Sequence, residues 1–489
     1  MDQQNELLRA PRAVPAPPIP PAAGPPCAGT SPAGSGTRTP VPRPGLTLVT
    51  ALLGFGLITL DTSVVNVALP AVGGDLGAGM SGLQWTVDAY TLALAALLLS
   101  TGALADRVGA SRAYAVGVAV FTLASAACGL APGLPALVGA RVVQGMAAAV
   151  MLPASLALVR EAYPDPARRA RAVSLWAAGG TVAMAFGPVV GGALTSGWSW
   201  RWIFFVNLPA GLLALALTTR VTRSARRPAP LDVPGQLTAA LALGALTFAA
   251  IEGGPEAWWA LGAAAVSSAA FLLIEARHRH PVVPLGLFRS PNVAVSVAAA
   301  SANSVAFYGM VFVFGLYFQQ VLGLSALAAG VMFLPMTGLL PAVNVLSARA
   351  AARHGARLPV VTGQLVTVAG LLLLLYVDES APPALVAALL VPMALGCGLA
   401  LPPLIATAMD AVPAERAGTA AGVLNAARQT AGGLSIAVFG SFVADGFVAG
   451  MRAALAVSAA LMAVVTFAAF RLGPSASGTE PAPAGTHAP

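Results

Sequence analysis

The sequence predicts an all-α membrane protein of about fourteen transmembrane helices with both termini in the cytoplasm. Three observations predict it: charge too sparse to cover a soluble surface, apolar runs of bilayer length, and a one-sided distribution of arginine. Only 9% of the 489 residues are charged and 57% are hydrophobic, whereas a soluble domain is charged at about a quarter of its positions. The apolar runs are roughly twenty residues long, enough to cross a bilayer core as helix. They lack the strict alternation that a membrane barrel requires.

In chain order, residues 1–45 are rich in Pro, Ala and Gly without apolar period and read as a disordered cytoplasmic tail. No signal peptide is evident, because the first long apolar run begins near Leu46 and has no short cleavable form. Helices are expected near 46–69, 84–104, 113–131, 135–160, 172–194, 201–219 and 235–253. They continue near 258–276, 292–318, 325–348, 358–377, 384–409, 417–443 and 451–471. Residues 473–489 read as a second disordered cytoplasmic tail.

Arginine tests this map independently. With both tails inside, the inner loops hold Arg107, Arg112, Arg160, Arg168, Arg169, Arg171, Arg220, Arg223, Arg226, Arg227, Arg277, Arg279, Arg289, Arg349, Arg353, Arg357 and Arg416. Outside lie Arg201 and Arg452, with Asp75, Glu256, Asp378, Glu379 and Asp445, while Arg141 and Arg428 fall within helices. This is the positive-inside asymmetry, and it supports an even number of spans. A short internal repeat, ADRVGA at 105–110 and AARHGA at 351–356, follows the second and the tenth helix. It suggests two six-helix halves, 46–219 and 291–472, flanking an inserted pair, helices seven and eight, within 220–290; repeated halves about a central site are a transporter architecture.

Composition also excludes chemistries. All 26 basic residues are arginine, so neither a Walker A loop nor a lysine Schiff base can form. A rhodopsin is thereby excluded, as is an ATP-driven pump unless a partner subunit supplies the ATPase; no such subunit is expected. The net charge of +8 sits at the ends of apolar runs and points to lipid headgroups rather than nucleic acid. Cys27, Cys128 and Cys397 are odd in number and scattered, and His278, His280, His354 and His487 form no HExxH arrangement. Neither a disulfide framework nor a metal site is expected, and no cofactor.

Ionisable side chains inside spans are costly, roughly 2.5–3.5 kcal/mol at a helix centre, and mark function by default. Asp61 in helix 1 lies about 22 Å from its inner end, and Asp88 in helix 2 and Arg141 in helix 4 lie roughly 6 and 9 Å from the outer face, at ~1.5 Å per residue. All three fall in the outer third of a ~30 Å layer, so two carboxylates and one arginine are expected to share a site. Burial penalises a carboxylate's charged form and a nearby arginine restores it, so changing their separation couples protonation to conformation. The bland alternative is a static ion pair locking helices 1, 2 and 4. Polar and aromatic residues in the spans form a candidate binding surface: Asn66, Tyr90, Gln144, Asn303, Tyr308, Asn344, Asn425, Arg428 and Gln429, with Trp85 and Gln319 nearer the interface. From spacing alone, GPVVGG at 187–192 reads as a kinked packing seam.

These segments together resemble a family, the drug:proton antiporters of the major facilitator superfamily in its fourteen-helix branch. LDTSVVNVALP at 60–70 is similar to the branch's first-helix signature, whose acidic residue falls on Asp61. GALADRVG at 102–109 is similar to the loop 2–3 motif through Gly102, Asp106, Arg107 and Gly109, although Ala110 and Ser111 stand where two basic residues are usual. RVVQG at 141–145 resembles the helix 4 motif, whose arginine is implicated in proton coupling. Gly187, Pro188, Gly191 and Gly192 resemble the antiporter motif that marks exporters, with Ala183 in place of an upstream glycine. WRWIFFVNLP at 200–209, LYFQQ at 316–320 and NAARQ at 425–429 complete the pattern.

The resemblance implies a major facilitator fold of 6+2+6 helices in the bacterial inner membrane. It implies alternating access in which external protons, with the proton gradient as energy source, are exchanged for a small organic drug or secondary-metabolite antibiotic, in the manner of actinomycete resistance exporters. The competing readings are a transporter of an ordinary metabolite and, from another class, a membrane-embedded enzyme or sensor. The helix 5 motif argues against an importer. The loops carry neither paired aspartates for a metal-diphosphate nor a folded sensory domain.

Overall fold

A computed structural model describes residues 44–226, 232–278, 281–413 and 416–472. Apart from Pro44 and Gly45, the two expected tails lie outside the described residues, as do Cys27, Arg227, Arg279, His280 and His487. Among the described residues every regular element is helical. The first set comprises α1 (Pro44–Leu76), α2 (Met80–Val108), α3 (Ala110–Gly129), α4 (Leu134–Ala162), α5 (Pro166–Gly197), α6 (Trp202–Phe205) and α7 (Asn207–Thr218). A pair follows, α8 (Val233–Glu252) and α9 (Gly254–Arg277). The second set comprises α10 (Pro291–Leu316), α11 (Ala326–Met332), α12 (Leu334–Gly338), α13 (Leu340–His354), α14 (Arg357–Leu374), α15 (Pro383–Asp410), α16 (Ala417–Ala444) and α17 (Phe447–Ala469).

Among the described residues twelve helices are long and apolar enough to cross a membrane, with Ala326–His354 counted as one. Two segments expected as spans fall short of that measure. Trp202–Thr218 is too short and breaks at Val206, and α16 carries Asn425, Arg428 and Gln429, which dilute its hydropathy. Boundaries shift for identifiable reasons. The first helix was expected to stop before Pro70 but continues to Leu76, because a proline forfeits its own N–H bond while flanking residues still pack. The tenth expected helix is three segments, with Pro335 and Pro341 each at the start of a new one, the position where proline's missing N–H costs least. Large apolar side chains face outward, including Leu123, Leu130, Val266 and Phe467 at 70–72% exposure, an inversion of the soluble pattern that lipid explains.

The repeat 105–110 and 351–356 has a structural counterpart. Gly109 and Gly355 adopt φ of +98° and +79°, and their N–H groups close onto the carbonyls of Ala105 and Ala351, 2.9 Å each. Gly109 closes α2 and caps α3, and Gly355 closes α13 one residue before the Ala356 cap of α14; both are left-handed residues that only glycine takes without strain. Within the first set α1 packs on α4, α5 and α7, and α2 on α4; in the second, α10 packs on α15, α16 and α17. The sets meet along α2–α16 and α5–α11, and α8 lies across α2 and α16.

Several cross-set contacts cluster at the arginine-poor ends of the helices. Gln84 Nε2 donates to Ala437 C=O (2.5 Å), Gln319 Nε2 to Val67 C=O (2.9 Å), and Leu327 N–H to Ser196 Oγ (3.0 Å). The Arg201–Asp75 ion pair lies at the same end, with Trp200 Nε1 donating to Asp75 at 2.9 Å.

Candidate functional site

Asp61 is wholly buried and every described donor around it is polar or cationic. Arg141 Nη1 donates to its Oδ2 at 2.5 Å, and Gln144 Nε2 and Asn207 Nδ2 donate to its Oδ1 at 2.8 and 2.9 Å. The 141/144 spacing puts both α4 side chains on one face, and Arg141 Nη1 also donates to Gln144 Oε1 at 2.9 Å. Arg141 Nε donates to Thr86 C=O at 3.1 Å, and its guanidinium stacks 4.3 Å from the Tyr90 ring centre. Ser125 Oγ accepts from Gln144 and Asn207 at 3.3 and 3.1 Å and itself donates to Phe204 C=O at 2.9 Å. Gly145 permits this closeness, because a Cβ there would strike the Tyr90 carbonyl.

The expected shared site of two carboxylates and Arg141 is corrected: Asp88 does not join it. Thr86 and Tyr90 point toward Arg141, and at about 100° per residue position 88 lies some 160–200° away from both. Asp88 instead faces α16, with Oδ1 3.6 Å from where a Cβ on Gly433 would stand. It is fully buried and neither oxygen has a hydrogen-bond partner among the described residues. Gly422, Gly433 and Gly440 face Leu99, Asp88 with Thr91, and Gln84 in turn. These glycines form one stripe that lets α16 close on α2.

Tyr90 and Gln144, expected on a binding surface, are 0% exposed and belong to the Asp61 network. Asn303 is also turned inward, donating to Cys397 C=O at 2.9 Å, because its face of α10 packs against α15. Asn344 lies near Gly398 of α15. Asn66, Tyr308 and Gln429 do come together, lining a cavity with Thr62 and Thr91 between α1, α2, α10 and α16. At about 10 Å³ it has room for about one water, far below the ~300 Å³ or more of a drug-sized site. Arg428 donates to Asn425 Oδ1 at 3.1 Å and to Ser304 Oγ at 3.3 Å.

In the loop 2–3 motif, Gly102 has open space beside it, Asp106 and Arg107 are exposed, and a Cβ on Gly109 would lie 2.9 Å from Ser224 C=O. Ser111, in the place of a usual basic residue, exchanges hydrogen bonds with Ser224 at 3.0–3.1 Å. The 187–192 segment is the close packing that spacing suggested, and it faces two ways. Gly187 lies against the Ser63 side chain and Gly191 against Val64 C=O of α1, while Gly192 meets the Ala326–Leu327 backbone of α11. The Pro188 carbonyl lies against Gly330.

Asn207 enters the sequence reading only as part of the 200–209 motif, and Ser125 not at all. Asn207 was legible as a polar residue inside an apolar run. Ser125 was not, since helical hydroxyls commonly bond the carbonyl four residues back, as Thr122 does here.

The sequence profile of the Major Facilitator Superfamily matches residues 51–436. Over 408 residues the chain is 40% identical to the multidrug resistance protein Stp of Mycobacterium tuberculosis, covering 82% of this chain and 76% of that protein. It is 37% identical over 414 residues to the methylenomycin A resistance protein of Streptomyces coelicolor, covering 83% and 87%. The crystal structure of the peptide transporter POT in complex with sulfate superposes with a TM-score of 0.67 over 88% of this chain and 95% of that one, at 17% identity, a likeness of fold.

Proposed function

The chain belongs to the major facilitator superfamily, and from that premise we propose that it is a proton-coupled antiporter exporting a small organic drug or secondary-metabolite antibiotic. In this reading fourteen spans, counting Trp202–Thr218 and α16, are arranged as 6+2+6 with both termini cytoplasmic. The arginine-poor end then faces outward. The resistance proteins it is similar to support the cargo class.

The observation that carries proton coupling is Asp88, a carboxyl group without any hydrogen-bond partner, held in the seam between the two sets. A bare charge there costs several kcal/mol more than the neutral acid. Closing α2 on α16 therefore goes with proton uptake, and parting them into water releases the proton. Asp61 is the complementary case, a carboxylate neutralised by Arg141 and two amides. It holds α1, α4 and α7 as one body while the seam moves.

The cavity of about 10 Å³ must open for any cargo, so transport requires the sets to rock apart at one end and then the other. The test is efflux from sealed vesicles. Collapsing the pH gradient is expected to stop export, and depleting ATP with the gradient clamped is expected to leave it intact. Export that continues after the gradient is collapsed would refute proton coupling. A susceptibility panel in a pump-deficient host identifies the cargo, and Asp61→Asn is expected to abolish resistance while the protein still reaches the membrane.

A further inference from the structure

Two arginines lie deep in the bundle, and they are treated differently. Arg141 meets the Asp61 carboxylate. Arg428 has no carboxylate among the described residues, and its hydrogen bonds go to two neutral acceptors, Ser304 Oγ and Asn425 Oδ1. The described acidic residues of the second set, Asp378, Glu379, Asp410 and Asp445, stand at helix ends and in loops. A guanidinium offers five N–H donors in a fixed fork, so most of this one is unspent. A buried cation is costly without a counter-charge.

Arg428 is nevertheless partly exposed, and its neighbour in the chain, Gln429, lines the cavity between the sets. Donors gather beside it. Tyr308 is close enough to interact with its charge, and Tyr308 and Gln429 line the cavity between the sets.

We propose that Arg428, with Ser304 and Tyr308, forms an oxyanion subsite that takes a carboxylate of the exported molecule. This inference rests on the exporter reading and narrows its cargo to compounds bearing an acid group. The planar fork matches a carboxylate in a bidentate manner that a lone ammonium does not reproduce. The second set supplies the cation and the cargo supplies the missing anion, while Asp88 on the opposite wall remains free to carry a proton.

The test uses purified full-length protein in detergent, with thermal unfolding followed against sodium benzoate or benzamide at ionic strength held constant with sodium chloride. Benzoate is expected to raise the midpoint at concentrations at least about tenfold below those of benzamide. Arg428→Gln is expected to remove that preference, and Arg428→Lys to weaken it. Equal action of the two probes, no shift with benzoate, or a benzoate preference that survives in Arg428→Gln would overturn the subsite. If Arg428→Gln does not fold, Arg428→Lys and Ser304→Ala decide: a weakened preference supports the subsite and an unchanged one overturns it. Drug resistance in the host panel without a benzoate preference removes the subsite and leaves the exporter; a benzoate preference without any resistance does the reverse.

Discussion

Replacing Asp88 by Asn is the sharpest perturbation of the seam. Asn keeps the shape of the side chain and removes the titrating proton. In the closed structure the Asp88 oxygens face Gly433 with no donor. With the about 2.5–3.5 kcal/mol that a charge costs at a helix centre as the upper bound, ionisation shifts the closed-to-open ratio by up to about 10², since each 1.4 kcal/mol is tenfold. In the parent, closure therefore weakens as pH rises and Asp88 ionises; in Asp88→Asn it stays closed and independent of pH. The assay is alkylation of Thr91→Cys, which faces Gly433 across the seam, by an impermeant maleimide in vesicles, with the native cysteines replaced. The thiolate fraction rises with pH in both chains, so the parent-to-variant rate ratio is the readout. It is expected to climb from near one at low pH toward about 10² at high pH, bounded by the same penalty. A ratio that does not change with pH refutes the link between Asp88 and closure.

Three further outcomes follow from the geometry. Asp61→Asn leaves Arg141 buried without its counter-charge, a loss of about 3–5 kcal/mol that Asp61→Asn/Arg141→Gln should partly restore; thermal midpoints of the single and double variants check it, and an unchanged single variant contradicts it. Asn207→Ala removes a donor from Asp61 and is expected to lower stability by about 1.5–3 kcal/mol and to reduce efflux, with wild-type values in both placing Asn207 outside the site. Gly192→Leu would push into the Ala326–Leu327 backbone and is expected to hold the arginine-poor end open and abolish export from protein that still inserts. Gly56→Ala, whose new Cβ would stand 3.8 Å from the Ala183 side chain, is the tolerated control, and export surviving in Gly192→Leu argues against closure at that contact.

Much of the site's content was legible in sequence, but its grouping was not. Asp61 and Arg141 fall together as their depths indicated, since rise per residue and bilayer thickness are linear measures, whereas Gln144, expected on a binding surface, joins them instead. Asp88 has a readable depth, but the face of α2 that meets α4 is not readable, and the rotation that brings Thr86 and Tyr90 to Arg141 carries Asp88 to α16. Asn303 shows the same limit in the second set. Its polarity suggested a cavity lining, and packing turned it onto Cys397 C=O instead.

By itself the sequence determined a helical membrane bundle, the positions of its long apolar segments, the ends that carry arginine and the few residues whose charge is costly inside. Those properties follow from the solvent: hydrocarbon excludes charge and unpaired backbone irrespective of how helices are arranged. Only the tertiary structure decided which polar atoms meet, that Asp61 is neutralised while Asp88 is bare, and that Arg428 lacks a carboxylate among the described residues. Those depend on helix rotation and on close approach at Gly145, Gly191 and Gly433, where neighbours far apart in the chain are set by the fit of surfaces rather than by hydropathy.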